Sequence, residues 1–159
     1  MKYLITGGAG FIGSHLSDAL IARGDTVTVL DNLSTGNRAN IEKLLTHPNF
    51  RLIEGSVLDP DLLDQEVPLV DHVLHLAAAV GVFNIIDKPL ESLMTNVRGT
   101  ENILEAASNH NKEVLIASSS EIYGKNSSGP LNEESDRIVG SPLKSRWSYS
   151  EAKAIDESM

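Results

Sequence analysis

Tyr3-Leu4-Ile5-Thr6-Gly7-Gly8-Ala9-Gly10-Phe11-Ile12-Gly13-Ser14-His15 is the stretch on which the fold turns. Tyr3 to Ile5 is a short apolar run that reads as a buried strand, and it passes directly into glycines from which an amphipathic helix starts. Gly8, Gly10 and Gly13 fit G-x-G-x-x-G, and Gly7, Gly10 and Gly13 fit the related G-x-x-G-x-x-G. The glycines divide three physical roles among them. One makes the tight turn out of the strand, one lets backbone approach a pyrophosphate, and one lets the helix lie close to the strand. The free N–H groups at the helix start then face the phosphates with the helix dipole behind them. A Gly-rich turn alone is weak evidence, because structural turns also collect glycine. Here it follows a strand, opens a helix and precedes a second strand ending in Asp31. An acidic residue about 20 positions downstream is where a ribose-binding carboxylate belongs.

Outward from that stretch, the first helix is expected over about Phe11 to Arg23, with Phe11, Ile12, Leu16, Ala19 and Leu20 as its apolar stripe and Gly24 as its stop. Thr26 to Leu30 is β-branched and reads as strand two. The polar loop Asp31-Asn32-Leu33-Ser34-Thr35-Gly36 follows. A carboxylate at its head can accept both ribose hydroxyls and would repel a 2′-phosphate, which points to NAD over NADP. An Asp that only closes an Asx-turn is the structural alternative.

A helix over about Ala39 to Thr46 and a strand over Phe50 to Glu54 come next. Asp59-Pro60 reads as an N-cap followed by proline at the first helical position, so Asp59 is structural. Strand four covers Asp71 to Leu76, and small residues after it would let a cofactor lie close to backbone. His75, late in a buried strand, reads as packing in preference to a catalytic base. The longest helix is expected over Pro89 to Asn109, with Leu90, Leu93, Met94, Val97, Leu104 and Ala107 as its apolar face. Strand five covers Glu113 to Ser118, a long loop covers about Gly124 to Arg146, and a last helix starts near Ser148 and is still running at Met159. Strands alternating with helices give an α/β fold: a doubly wound, Rossmann-type parallel sheet with right-handed crossovers.

Composition bounds the function. The chain has 159 residues and 41% hydrophobic content, enough for one domain with a core. A net charge of −9 argues against nucleic acid or an anionic membrane as partner, so phosphates must be held by local amides and a few cations. The absence of cysteine removes disulfides, thiolate nucleophiles and Cys-based metal sites, and no metal is expected. No apolar run approaches ~18 residues, the length that would span a bilayer. With its first strand starting at Lys2, no signal peptide is expected, and a cytoplasmic location follows by default.

Tyr149-Ser150-Glu151-Ala152-Lys153 places Tyr and Lys four apart on one helix face. A tyrosine titrates near ~10, and a lysine cation beside it favours the phenolate, so the pair can accept a proton from an alcohol. An i,i+4 surface pair is the plain alternative. Ser118-Ser119-Ser120 falls where strand five ends, which is where such sheets bind ligands; turn-forming serines are the alternative.

Thr6 to Gly13, Asp31-Asn32-Leu33, His75-Leu76-Ala77-Ala78, Asn96-Val97-Arg98-Gly99-Thr100, Ser118 to Gly124 and Tyr149-x-x-x-Lys153 together resemble the extended short-chain dehydrogenase/reductases. Within these the chain is similar to the NAD-dependent nucleotide-sugar epimerase/dehydratase/decarboxylase group. The resemblance implies tightly held NAD(H). Its surroundings would be Gly7, Gly10, Gly13, Phe11 and Ile12 from the first turn, Asp31, Asn32, Leu33, Ser34, Thr35 and Gly36 from the loop, Leu76, Ala77, Ala78 and Val80 after strand four, and Asn96, Tyr149 and Lys153. Ser56, with Val57, stands where the family often has an Asp near the adenine; its hydroxyl can still accept that hydrogen bond, and weaker contact is expected.

The resemblance also implies Ser119 as hydroxyl partner of Tyr149, and Glu121 as a group that orients or protonates an intermediate. The family's 4,6-dehydratases carry Asp-Glu where this chain has Ser120-Glu121, which turns the reading away from dehydration. Ser119-Ser120-Glu121 with Arg146-Trp147-Ser148-Tyr149 resembles UDP-glucuronate decarboxylases, UDP-4-amino-arabinose-pathway decarboxylases and UDP-hexuronate 4-epimerases. The expected substrate is therefore a UDP-sugar that passes through a transient 4-keto form. A UDP-glucose 4-epimerase or nucleotide-sugar 4,6-dehydratase, a non-catalytic NAD-binding module and an inactive fragment of such an enzyme are the other readings. The expectation is that residues 1–159 are the NAD-binding part of a longer enzyme, that the C-terminal substrate domain is absent from this chain, and that the full-length protein is a homodimer through a four-helix bundle.

Overall fold

A computed structural model describes residues 1–79, 87–127 and 129–159. Five parallel strands form one sheet: β1 (Lys2–Thr6), β2 (Thr26–Asp31), β3 (Phe50–Glu54), β4 (His72–His75) and β5 (Glu113–Ile116), in the order β3-β2-β1-β4-β5. The chain leaves β1 in one direction to build β2 and β3, and later crosses to the other side for β4 and β5. That reversal opens a crevice above the carboxyl ends of β1 and β4, where Thr6 and His75 stand in register.

Alternation along the strands divides the core. Leu4, Leu30 and Val73 face one side, where they meet Leu63, Val67, Ile103 and Ala107 from α2 (Pro60–Glu66), the short turn after it, and α3 (Pro89–Asn109). Ile5, Val27 and Val29 face the other side, against Leu20 and Ile21 of α1 (Phe11–Ala22), with Ile41 and Phe50. Both faces of the central strands are covered, so β1 and β2 are buried on both sides, as a parallel sheet requires, whereas at the β5 edge Leu115 is exposed. The last helix, α4 (Ser148–Ser158), packs against α3.

Local signals mostly hold. Gly24, at φ +91°, stops α1, and the Asp59 carboxylate accepts from Leu62 N–H at 3.1 Å with Pro60 at the first helical position of α2. Three expectations are corrected. The segment expected as a helix from about Ala39 to Thr46 is a 3-10 helix over Arg38–Leu44, capped by the Asn37 side chain on Ala39 N–H. In α1, Phe11 and Ile12 are not core residues: they are 78% and 68% exposed, and the helix buries Gly13, Ser14, Ser17, Leu20 and Ile21. In α3, the buried face is Ser92, Asn96, Gly99, Thr100, Ile103 and Ala107, whereas Leu90 is 71% and Met94 47% exposed. The physical reason is close approach. A Cβ on Gly99 would stand 2.7 Å from the Val57 side chain, so α3 turns small residues inward there; of the expected stripe Ala107 is buried, Leu93, Val97 and Leu104 are half-buried, and Leu90 and Met94 point out.

Candidate active site

The crevice is a cleft of about 520 Å³, within the range of small-ligand sites. Its floor is the turn after β1. Gly7 sits at φ +70°, and a Cβ there would lie 2.7 Å from Ala77 N. Gly13 lies so close beneath the turn that a Cβ would stand 2.6 Å from Gly7 O and from Gly8 Cα. Gly10 faces open space apart from Gly7 O, which is what a backbone awaiting a ligand requires. Phe11 and Ile12, with Gly10 and Gly13, line the cleft, so their exposure is at its wall.

Asp31 ends β2 with its carboxylate buried. Oδ2 accepts from Ala9 N–H at 2.9 Å and Oδ1 from Leu33 N–H at 2.8 Å. It therefore closes an Asx-turn and also ties the β2 loop to the glycine turn. Asn37 N–H and the Asn40 amide add two further bonds to Ala9 O. Asp31, Asn32, Ser34, Thr35 and Gly36 line the cleft. Leu33 does not: at φ +56° it turns into the core on the α1 side. Ser56 and Val57 line the far end, with Ser56 Oγ accepting from Leu58 N–H and Val57 O accepting from the Asn102 amide.

After β4, Leu76, Ala77 and Ala78 line the cleft; Val80 lies outside the described residues. Asn96 does not reach the cleft. Its Oδ1 accepts from Ala79 N–H at 2.6 Å and its Nδ2 donates to Ala79 O at 3.2 Å, so it acts by holding the strand-end peptide. A related relay runs underneath. Ala77 N–H donates to Thr6 Oγ1, and the Thr100 hydroxyl donates to Asn96 O. The proton of Thr100 being committed, His75 Nε2–H must donate to Thr100 Oγ1 (3.2 Å), and Thr6 must donate to Nδ1 (2.7 Å). Burial, with Lys153 nearby, lowers the His75 pKa to about 3, so the ring is a neutral packing group as its sequence position suggested.

At the end of β5, Ser118 lines the cleft and its hydroxyl bonds to Glu157. Ser119 Oγ accepts from Glu121 N–H at 3.2 Å and caps the 3-10 turn Ser120–Tyr123. Neither Ser119 nor Glu121 is part of the cleft wall, but both act on Tyr149, which is. Burial raises the Tyr149 pKa above its ordinary value, and the charges of Glu121 and Asp156 raise it further; hydrogen bonding with Ser119 pulls the other way. Lys153 lines the cleft, yet its Nζ donates to Asp156 Oδ2 at 2.9 Å, in a pair buried on both sides. Sequence reasoning missed Asp156, whose only signal was an acid three positions after the motif lysine. It also missed Ser92 and Thr95 of α3 and the Lys88–Glu91 ion pair, all on the cleft wall.

The family model described as GDP-mannose 4,6-dehydratase matches residues 4–159, nearly the whole chain. The chain belongs to the GDP-mannose 4,6-dehydratase family. Among curated members related to it, a UDP-N-acetyl-α-D-glucosaminuronate decarboxylase of Bacillus cytotoxicus is 44% identical over 158 residues, covering 99% of this chain and 48% of the relative. A UDP-glucuronic acid decarboxylase of Danio rerio is 40% identical over 99% of this chain and 36% of its own. This GDP-mannose 4,6-dehydratase family chain thus spans about half or less of those relatives. A dTDP-glucose 4,6-dehydratase of Streptomyces venezuelae, solved with NAD, superposes with TM-score 0.89 at 36% identity, over 99% of this chain and half (50%) of that one. A UDP-N-acetylglucosamine 4-epimerase of Methanobrevibacter ruminantium gives 0.87 at 35% identity, over 99% and 48%. Among the described residues no helix is long and apolar enough to cross a membrane.

Proposed function

We propose that the chain is the NAD-binding part of an enzyme that decarboxylates a UDP-hexuronate through a transient 4-keto sugar. The observation that carries this is the pair Tyr149 and Lys153 on the wall of a glycine-floored cleft, with Ser119 hydrogen-bonded to Tyr149, in a chain whose similar curated relatives are UDP-sugar acid decarboxylases. The residues present fit the cofactor. Gly10 leaves backbone open to a pyrophosphate, and Asp31 stands where a ribose would lie, with lone pairs beyond the two it uses. When bound, NAD supplies a reversible hydride acceptor and, in its oxidised form, a positive charge beside the phenol.

Within that arrangement Tyr149 Oη takes the proton from the sugar 4-hydroxyl and later returns it. Ser119 Oγ holds the same oxygen, and the Lys153 ammonium, paired with Asp156, follows Tyr149 by one helical turn. Glu121, exposed on the turn after β5, acts on Tyr149 through its charge. A ketone at C4 makes a C6 carboxylate part of a β-keto acid, which releases carbon dioxide readily. The outward apolar face of α3, with Leu90 and Met94, and the exposed Ile155 of α4 support a homodimer through a four-helix bundle in the full-length protein.

Incubation of the full-length protein with NAD and UDP-glucuronate tests the reading. Release of carbon dioxide with formation of a UDP-pentose is the expected result. Conversion to UDP-galacturonate would make it a 4-epimerase, and neither product would remove hexuronates as substrates.

A further inference from the structure

Lys153 follows Tyr149 by one helical turn and is followed by Asp156 on the same helix. The Lys153–Asp156 pair is the most enclosed ion pair among the described residues, with side chains 3% and 0% exposed and Nζ to Oδ2 at 2.9 Å. Such pairs are weak devices for stability, because desolvating both charges offsets their attraction. This one is poorer still, since Asp156 Oδ1 is buried without a hydrogen-bond partner. A half-satisfied buried carboxylate costs free energy that an apolar side chain of similar size would not. Its geometry does have one effect on chemistry: the ammonium is turned toward Asp156 with its charge cancelled.

We propose that Asp156 is a positioning residue: it holds the Lys153 ammonium beneath the cleft, cancels its charge, and sets the pH at which Tyr149 gives up its proton. The inference rests on the reading of Tyr149 as proton acceptor. The other groups around the pair do not replace Asp156. From β4, His75 faces Lys153 but is neutral. From the turn after β5, Glu121 acts on Tyr149, and Ser119 contributes a hydrogen bond. At the start of α3, Lys88, just before the helix, and Glu91 in its first turn, both on the cleft wall, pair with each other at 3.0 Å. On α4 itself, Glu151 pairs with Arg137 at 3.1 Å.

The test is Asp156→Asn in the full-length protein, an isosteric change that removes the charge. Ionisation of Tyr149 is read without substrate, as ultraviolet phenolate absorbance relative to the matching Tyr149→Phe protein. With Lys153 no longer neutralised, the titration should move to lower pH by about one unit or more. The ascending limb of the pH profile of kcat/KM should move with it, and Asp156→Glu should restore both. A folded Asn variant, verified by its melting transition, whose phenol titrates as in the parent would overturn the proposal, and this includes the case in which Lys153 sheds its proton instead. Should the Asn variant not fold, Asp156→Ser, smaller and likewise uncharged, is titrated in its place: the phenol should again ionise at lower pH, and no movement would overturn the proposal. Absence of turnover of any UDP-sugar by the parent protein would defeat the functional reading alone, since the phenolate titration needs no substrate.

Discussion

Tyr149 and His75 illustrate how burial directs two titratable side chains to opposite ends of the pH scale. For Tyr149, burial and neighbouring carboxylates favour the protonated phenol. Replacement by Phe removes the proton acceptor and should lower turnover by roughly 10²-fold or more while NAD affinity changes little; steady-state kinetics and cofactor titration read the two separately. For His75, the folded state holds the ring neutral down to about pH 3, against 6.5 when unfolded. The unfolded chain therefore binds the extra proton first. The contribution of this ring to stability is complete above about pH 6.5 and declines as the pH falls toward about 3. Denaturant unfolding of the parent and of His75→Gln at neutral pH and midway through that window should show a steeper acid loss in the parent. The packing role of His75 was legible because a histidine inside an apolar strand has few ways to remain charged. The Lys153–Asp156 pair was not legible, because a motif names the residues that do the chemistry and is silent on what holds them.

Elements read well where a local signal was decisive. The bounds of β3 and α3 match the sequence reading, and the Asp59-Pro60 cap forms as the pair demands. Faces read less well. The apolar stripe of α3 looked like the core side, yet steric approach to Val57 at Gly99 requires small residues inward. The hydrophobic pattern of a helix reports what is apolar and leaves open which of two apolar environments receives it. The Arg38–Leu44 segment is a 3-10 helix whose start is fixed by the Asn37 side chain on Ala39 N–H and by the Asn40 amide on Ala9 O. The junction of β1 and α1 is the least tolerant element. Gly13→Ala places a methyl group against Gly7 O and Gly8 Cα at 2.6 Å, inside any normal contact. The helix must then lift from the strand, at roughly 1–3 kcal/mol. NAD affinity, measured by fluorescence titration, should fall about tenfold or more by the same free-energy scale.

For the whole molecule, the outward stripe of α3 is where a second copy is proposed to pack. Leu90→Glu with Met94→Glu in the full-length protein should convert a dimer into a monomer by light scattering, while the melting temperature of the NAD-binding fold changes little, because both side chains are already largely exposed. The strand order itself has a temporal consequence. β1 pairs with β2 across a gap of 24 residues but with β4 across about 69, as Lys2–Thr26 and Tyr3–His72 show. On the ribosome the half comprising β1, β2 and β3 is complete well before its central strand gains a second neighbour, and contacts between distant parts of a chain form slowly. The glycine turn therefore emerges early but has no opposite wall until His75 and Ala77 have been synthesised. Until Ala77 has been made a nascent chain is blind to dinucleotide, and one side of β1 stands bare throughout that interval.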